Sequence, residues 1–565
     1  MSPLDARSGV TLGVFAIANA LVIRPLRIPL PSALRRVAAR IARILGRSDT
    51  PTHATLGLAS APVVAVLLLL ASTCIPPSVV RAGFVGRDGV RPWDVMVLFT
   101  SFAYISLSLD HTGLLRYLAL HVASRATSPA KLYASLYLLF LALALGVGND
   151  PVVLSGTPFV AYFAASTGLP PHAFAFAQFQ AANLACALLV SSNPTNLVLT
   201  ASFHLSFLQF SAWTALPTVA AGLALLPVLM GTAGRSLPKR IDKVDVQPRA
   251  ALVDPVGAAF GASVFVVTIV LLVALSAVGI LEHGAAGVWC VTAPAALLVL
   301  ARDVAYDLGW GRPGAAAASG ESGEKERASG ALGSSDSSEK DSTAPAVVSG
   351  RLDAEARDKL DGEADAAVGT TDTPTPASPT PPPTPPHPLR AIRAALPTTS
   401  TTLAALPLPL LPFAFSMFIL VEALDHTGWV GVWSGWWGAW ARASGAAGCI
   451  FLMGVVSVIG CNLFGTNIGA TVLLSRILTR WIAAAHPSPR ARYGSVLALA
   501  VGSNFGAYSF VFPASLAGLL WRHILAEKQL HVLPLEFARR NALPLGVTLA
   551  VGCLVVAAEV CVMFK

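Results

Sequence analysis

Apolar residues in this 565-residue chain gather in long uninterrupted runs and not in the short alternations of a soluble sheet or helix. The runs at 207–230, 257–281 and 543–563 reach the ~20 residues that carry a helix across bilayer hydrocarbon. Three runs open each half of the chain: 10–22, 56–73 and 93–109, then 257–281, 288–303 and 403–424. Each trio is followed by an amphipathic stretch suited to an interfacial helix, "LLRYLALHVASR" or "WVGVWSGWWGAWAR". The next runs, 132–166 and 447–480, are interrupted midway by "GVGNDP" and "GCNLFGTN". Backbone broken at membrane depth survives only where it lines a cavity or is buried in protein. Both runs are therefore expected to be re-entrant hairpins, with tips at 148–151 and 460–467. Two more runs, 171–204 and 494–519, are interrupted at 191–196 and 502–507, and a final span, 207–230 or 543–563, closes each half.

The halves repeat one another. The pentapeptide "LDHTG" ends an apolar run at 109–113 and again at 424–428. From Asp110 to Asn149 is 39 residues, and from Asp425 to Asn462 is 37. From Asn149 to Asn193 is 44, and from Asn462 to Asn504 is 42. Three markers in register indicate an internal repeat. Each half then holds five crossings and one hairpin, and an odd number of crossings turns the second half upside down. The expected fold is an all-α polytopic membrane protein of two inverted repeats, each with about five transmembrane helices, a re-entrant hairpin and a broken helix. LDHTG itself reads as the place where a span leaves the membrane, with its Asp favouring the start of the next helix. The expected divisions are an N-terminal span and basic segment (1–50), a first transport repeat (51–249), the first spans of the second repeat (250–310), a linker (311–389) and the rest of the second repeat (390–565).

Composition agrees with the membrane reading. Hydrophobic residues make up 54% of the chain and charged residues 12%, and mean hydropathy is +0.66. Thirteen of the 30 acidic residues fall between Glu321 and Asp372, which leaves too few elsewhere to solvate a globular surface. That segment is acidic, Ser-rich and then proline-dense, a composition expected to stay disordered. The net charge of +9 does not indicate a nucleic-acid partner, because the basic residues sit between apolar runs. Seven Arg in 24–47, five basic residues in 234–249 and four in 521–540 favour an outside N-terminus, whereas Arg476, Arg480, Arg490 and Arg492 would then lie outside.

The four interruptions are the expected site. Helix ends there expose unpaired N–H groups with partial positive charge, and free carbonyls at the other ends. The candidate binding residues are Asn149, Asp150, Ser191, Ser192, Asn193, Thr195, Asn196, Cys461, Asn462, Thr466, Asn467, Ser503 and Asn504. Any of them could instead only satisfy backbone groups freed by the break. Asp150 is the single acidic residue at the tips, and an intramembrane carboxylate is a candidate proton carrier; the alternative is a helix cap. Glu422 and Asp425 read as interfacial, and Glu559 as a boundary residue of the last span. Cys461 raises a soft-ligand reading for trivalent arsenic or antimony, against coincidence among seven scattered cysteines. No CxxC pair, HExxH, GxSxG or GxxxxGK[ST] occurs, so neither a metal site, a cofactor nor an enzyme is expected.

At these motifs the chain resembles the arsenite/antimonite efflux permeases within an ion-transporter superfamily that also holds sodium/proton antiporters and citrate and dicarboxylate carriers. The resemblance rests on "LDHTGLLRYLALHVAS" followed by "LGVGNDPVVLSGTPFV", on "LLVSSNPTNLVLTASFHLSF" and on "VGSNFGAYSFVFPASLAGLLWRHIL". It covers both membrane halves but not 311–389. It implies that Asn149 and Asp150 form the first tip, Ser192, Asn193, Thr195 and Asn196 the first broken span, and Asn462 and Thr466 the second tip. The chain departs from the permease pattern with Ser503-Asn504 in place of an Asp, and with "GCNLFGTN" in place of Asn-Asn-x-Pro-Thr. The implied function is proton-coupled efflux of arsenite, antimonite or a related small oxyacid. The alternatives are a carboxylate or sodium/proton transporter of the same superfamily, and an accessory or sensory membrane protein whose linker recruits partners. The expected partners are a small inorganic or organic solute, protons or sodium as coupling ion, the bilayer, and a homodimeric second copy.

Overall fold

A computed structural model of the chain describes residues 4–33, 35, 36, 39, 40, 52–87, 90–238, 248–278, 288–310 and 388–564. The 311–387 part of the expected linker lies outside the described residues. Residues 305–396 form a compact unit of their own, of which the end of one helix and a short helix, Pro388–Ala395, are described. The other unit, 1–304 with 397–565, contains everything that follows.

Its helices are α1 (Ala6–Ile23), α2 (Ser60–Ala71), α3 (Pro77–Val85), α4 (Pro92–His111), α5 (Leu114–Ser124), α6 (Pro129–Val147), α7 (Asn149–Thr167), α8 (Pro171–Ala185), α9 (Pro194–Phe203) and α10 (Phe207–Ala233). After α11 (Pro255–Ala277) and α12 (Trp289–Asp307), with α13 the short Pro388–Ala395 helix, come α14 (Pro397–Ala405), α15 (Leu410–His426), α16 (Trp429–Leu463), α17 (Asn467–Ala485), α18 (Pro489–Phe505), α19 (Leu516–Glu527) and α20 (Pro534–Met563). Ten helical segments among the described residues are long and apolar enough to cross a membrane, and the protein is an integral, multi-pass membrane protein. Helix starts follow one local rule. A short polar side chain caps the first turn and proline takes the first helical position at Ser128–Pro129, Asn193–Pro194, Asp254–Pro255 and Ser488–Pro489. The cap satisfies a free N–H, and proline has none to satisfy.

Seven successive elements recur in order in the two halves: α4 with α15, α5 with the first part of α16, α6 with its second part, and α7, α8, α9, α10 with α17, α18, α19, α20. Non-helical backbone at Gly445 divides α16 into those two parts, which separates the Trp-rich stretch from the arm of the second tip. Both LDHTG copies end in a left-handed glycine that starts the next helix, Gly113 at φ +84° and Gly428 at φ +93°. A side chain on Gly113 would also run into the Ala251 carbonyl. The two pentapeptides do the same thing to the opposite half. The Thr112 carbonyl accepts from the N–H groups of Val253 and Asp254, at the start of α11. The Thr427 carbonyl accepts from Ser8 Oγ at 2.8 Å in the first turn of α1, where Trp429 Nε1 also donates to the Ser8 carbonyl. Asp110 and Asp425 do not cap the following helix as the sequence suggested; Gly113 and Gly428 hold that position.

Two further expectations are corrected, and one element is new. The run at 56–73 is not one span: α2 has 12 residues and Pro76-Pro77 starts α3 as a separate helix. The second broken span breaks at 506–515, not 502–507. Ser503 and Asn504 belong to the last turn of α18, and Pro513 with the Ser515 cap fixes the gap. Between α1 and α2 the chain also forms an exposed two-stranded antiparallel ribbon, β1 (Leu26–Pro29) on β2 (His53–Leu56), which no alternation announced.

Candidate functional site

Four helices begin at one place. A narrow cavity of about 20 Å³ is lined by Asn149 and Asp150 of α7, Asn193 and Pro194 at the start of α9, Asn467 and Ile468 of α17, and Ser515 with the first residues of α19. Phe99 and Leu410 add apolar walls. The four starts are two pairs of repeat-related elements, the helices that follow the two tips and those that follow the two breaks. Each start presents N–H groups without helical partners and a partial charge of roughly +0.5, so the four together amount to about +2. No Lys or Arg lines this cavity.

Side chains around the cavity hold the starts in place. Asn193 Oδ1 accepts from the N–H of Thr195 at 3.3 Å and its Nδ2 donates to Asn504 Oδ1 at 3.0 Å. Asn504 Nδ2 in turn donates to Asn196 Oδ1 at 2.7 Å, which ties α18 of the second half to the break of the first. Thr466 Oγ1 caps α17 by accepting from the N–H groups of Ile468 and Gly469. Ser515 Oγ accepts from the N–H of Gly518 and donates to the Ala507 carbonyl. Asn149 Nδ2 donates to Asn183 Oδ1 at 3.3 Å. Asp150 sits in the first turn of α7, half-buried, with no hydrogen bond or ion pair to a described residue. It is therefore not a helix cap; Gly148 holds the cap position.

Of the residues singled out from sequence, the structure brings Asn149, Asp150, Asn193 and Asn467 to the cavity wall. The others stand behind it. Asn196 Nδ2 donates to the Cys186 and Leu189 carbonyls freed by the first break, at 2.7 and 2.8 Å. Asn462 does the converse at the second break, where its Oδ1 accepts from the N–H groups of Phe510 and Val511 and its Nδ2 donates to Ser509. Thr195 Oγ1 donates to Asn196 and Ser503 Oγ to the Ala500 carbonyl. Ser191 and Ser192 form the short 3-10 turn of the first break. Cys461 is fully buried, its Sγ 3.6 Å from the Ser503 carbonyl, away from the cavity. Two residues escaped the sequence reading. Ser515 carried a signal, a Ser before an apolar helical run with proline two positions ahead. Asn183 sits in the last turn of α8 as Asn504 does in α18, and each donates back to the carbonyl four residues earlier. Asn183, not Asn193, is thus the counterpart of Asn504, and Asn193 is the counterpart of Ser515.

Fold and site together define a polytopic membrane protein with a small polar cavity enclosed by broken helices. Residues 36–307 match the family model described as Citrate transporter (CitMHS). An uncharacterized transporter of Mycobacterium tuberculosis is 29% identical over 189 residues, 31% of this chain and 44% of the relative. The arsenical pump membrane protein of Yersinia enterocolitica is 29% identical over 193 residues, 33% of this chain and 45% of the relative. The chain thus aligns with less than half the length of these curated relatives. Among solved structures, the YdaH transporter of Alcanivorax borkumensis aligns over 98% of this chain and 97% of its own, with a TM-score of 0.46 and 13% identity. The sequence matches relate the chain to membrane transporters of a superfamily that includes both citrate and arsenical carriers; they do not single out the arsenite permeases.

Proposed function

We propose that the protein is a secondary carrier, not an enzyme, that binds a small organic acid or oxyanion in the cavity between the four helix starts and couples its movement to protons through Asp150. The convergence of those starts carries the reading. A combined charge of about +2 balances the Asp150 carboxylate and one further negative group, without any cationic side chain. Carboxylates and oxyanions present the acceptor oxygens that free N–H groups and the Asn149, Asn193 and Asn467 amides can meet. The match to the citrate-transporter model supports the carboxylate class. Neutral arsenous acid is the second reading, favoured by the amide-rich wall and the arsenical relative.

Transport follows from two halves of opposite orientation, in which one set of broken helices faces each side in turn. The reciprocal attachment of each LDHTG to the other half's first span supports that arrangement. The test is uptake by purified protein in liposomes, with citrate, succinate and arsenite offered separately, with and without a pH gradient and sodium. Uptake of an acid anion that responds to the pH gradient is expected. If none of the three moves under any gradient, the carrier reading is wrong.

A further inference from the structure

A second cavity, about 60 Å³, opens where α9 and α17 run side by side. Val198 and Ser202 of α9 and Val472, Arg476 and Thr479 of α17 line it, and these are the same two helices whose first residues enclose the solute cavity. Buried Leu197, Val198, Ile468 and Val472 lie on these two helices between their first residues and Arg476. On the wall of the second cavity the buried Glu422 carboxylate lies between two guanidiniums, with Arg87 Nη1 at 3.0 Å from Oε1 and Arg476 Nη2 at 3.1 Å from Oε2. Arg476 also meets Asp425 at 3.0 Å and Arg480 meets it at 2.5 Å, so Glu422 and Asp425 share Arg476 between them. Arg87 is the most exposed member, with 61% of its side chain accessible.

From this geometry we infer that the second cavity is a vestibule in which an incoming carboxylate or oxyanion docks on Arg87 and Arg476 before it reaches the solute cavity, in competition with Glu422. The inference rests on the carrier reading for its purpose, and its chemistry is independent of it. A guanidinium pair already spaced around one carboxylate is spaced for another. Ser202 of α9 adds a hydroxyl donor, whereas the Thr479 hydroxyl donates to the Ser475 carbonyl of its own helix at 2.8 Å.

Site-directed labelling tests the inference in the full chain reconstituted in liposomes, after the exposed Cys290 and Cys561 are replaced by serine. Ser202→Cys and, in a separate protein, Thr479→Cys are reacted with a membrane-impermeant maleimide while citrate is the probe. Citrate is expected to slow labelling of either cysteine. Arg87→Gln should raise the half-protecting citrate concentration about tenfold, the loss of one charged hydrogen bond. Glu422→Gln should lower it, and Asn467→Ala in the solute cavity should leave it unchanged. The vestibule is overturned if neither cysteine is protected, or if Arg87→Gln leaves the half-protecting concentration where it was. Citrate uptake is read in the same vesicles. Uptake without protection removes the vestibule alone, and protection without uptake of any offered solute removes the carrier reading alone.

Discussion

The helices that follow the two tips are counterparts in the repeat, yet they are fastened differently. In the second half, the Asp of LDHTG grips α17: Asp425 meets Arg476 and Arg480, and Glu422 one turn earlier meets Arg476 again. In the first half, no cation pairs with Asp110 among the described residues, and its Oδ1 has no partner there. The helix start enclosed by the second tip carries only neutral groups, Thr466 and Asn467, whereas the first carries Asp150. The repeat has kept the backbone plan in both copies and placed the ionisable chemistry in the less firmly fastened one. The pairing also accounts for Arg476 and Arg480, which contradicted the orientation expected from loop charge. Both are spent on carboxylates of α15, so neither is a free topological signal.

Several substitutions would break or sharpen this contrast. Asp150→Asn has the largest expected effect: normal insertion, loss of accumulation driven by a pH gradient, and retained solute exchange, measured as uptake against counterflow in liposomes. Unchanged dependence on the gradient would remove Asp150 from the coupling. Arg476→Gln comes next, because it leaves two largely buried carboxylates short of a partner. It should destabilise the protein by about 3 kcal/mol, read as a lower midpoint of thermal unfolding in detergent. The first-half comparison, Asp110→Asn, breaks no ion pair to a described residue and should cost under about 1 kcal/mol. Equal losses from the two variants would show that the halves are fastened alike.

The two caps of the broken spans should separate by less. Ser515→Ala removes one cap and is expected to cost about 1 kcal/mol. Asn193→Ala also leaves the Asn504 oxygen without its Asn193 donor and should cost roughly another 1 kcal/mol; the same melting measurement decides. The smallest effect belongs to the linker that only the second half contains. Deleting 315–385 should leave insertion and uptake unchanged within about twofold, as its composition implies. Loss of membrane-inserted protein on deletion would contradict that.

Much of this was legible in the sequence because the signals were local. Apolar run length marked the spans, Gly-Asn interruptions marked both tips, and Ser-Asn-Pro marked the first break. The second break was misplaced because Gly502-Ser503-Asn504 looks like a helix breaker, yet every one of those residues fits a final helical turn. The helix runs on to Phe505, and the chain leaves it through the short turns at Gly506–Tyr508 and Phe512–Ala514. Asn183 gave no signal, since a lone Asn inside an apolar run says nothing about the residue it will meet. Nor could sequence tell wall from support. Asn193 and Asn196 are three residues apart, and only their partners separate one that borders the cavity from one that satisfies freed carbonyls.

The reciprocal LDHTG attachment has a consequence for how the protein is made. The first turn of α1 is held by Thr427 and Trp429, 419 and 421 residues further along the chain. At a translation rate of about 5–20 residues per second, α1 leaves the ribosome roughly 20–80 seconds before its partner exists. During that interval its buried Ser8, Thr11 and Asn19 have nothing from the second half to pack against. The halves are thus a clasp closed only late in synthesis, and neither should persist when expressed alone. Produced together as two separate chains divided between α12 and α13, they should find each other and rescue one another from degradation.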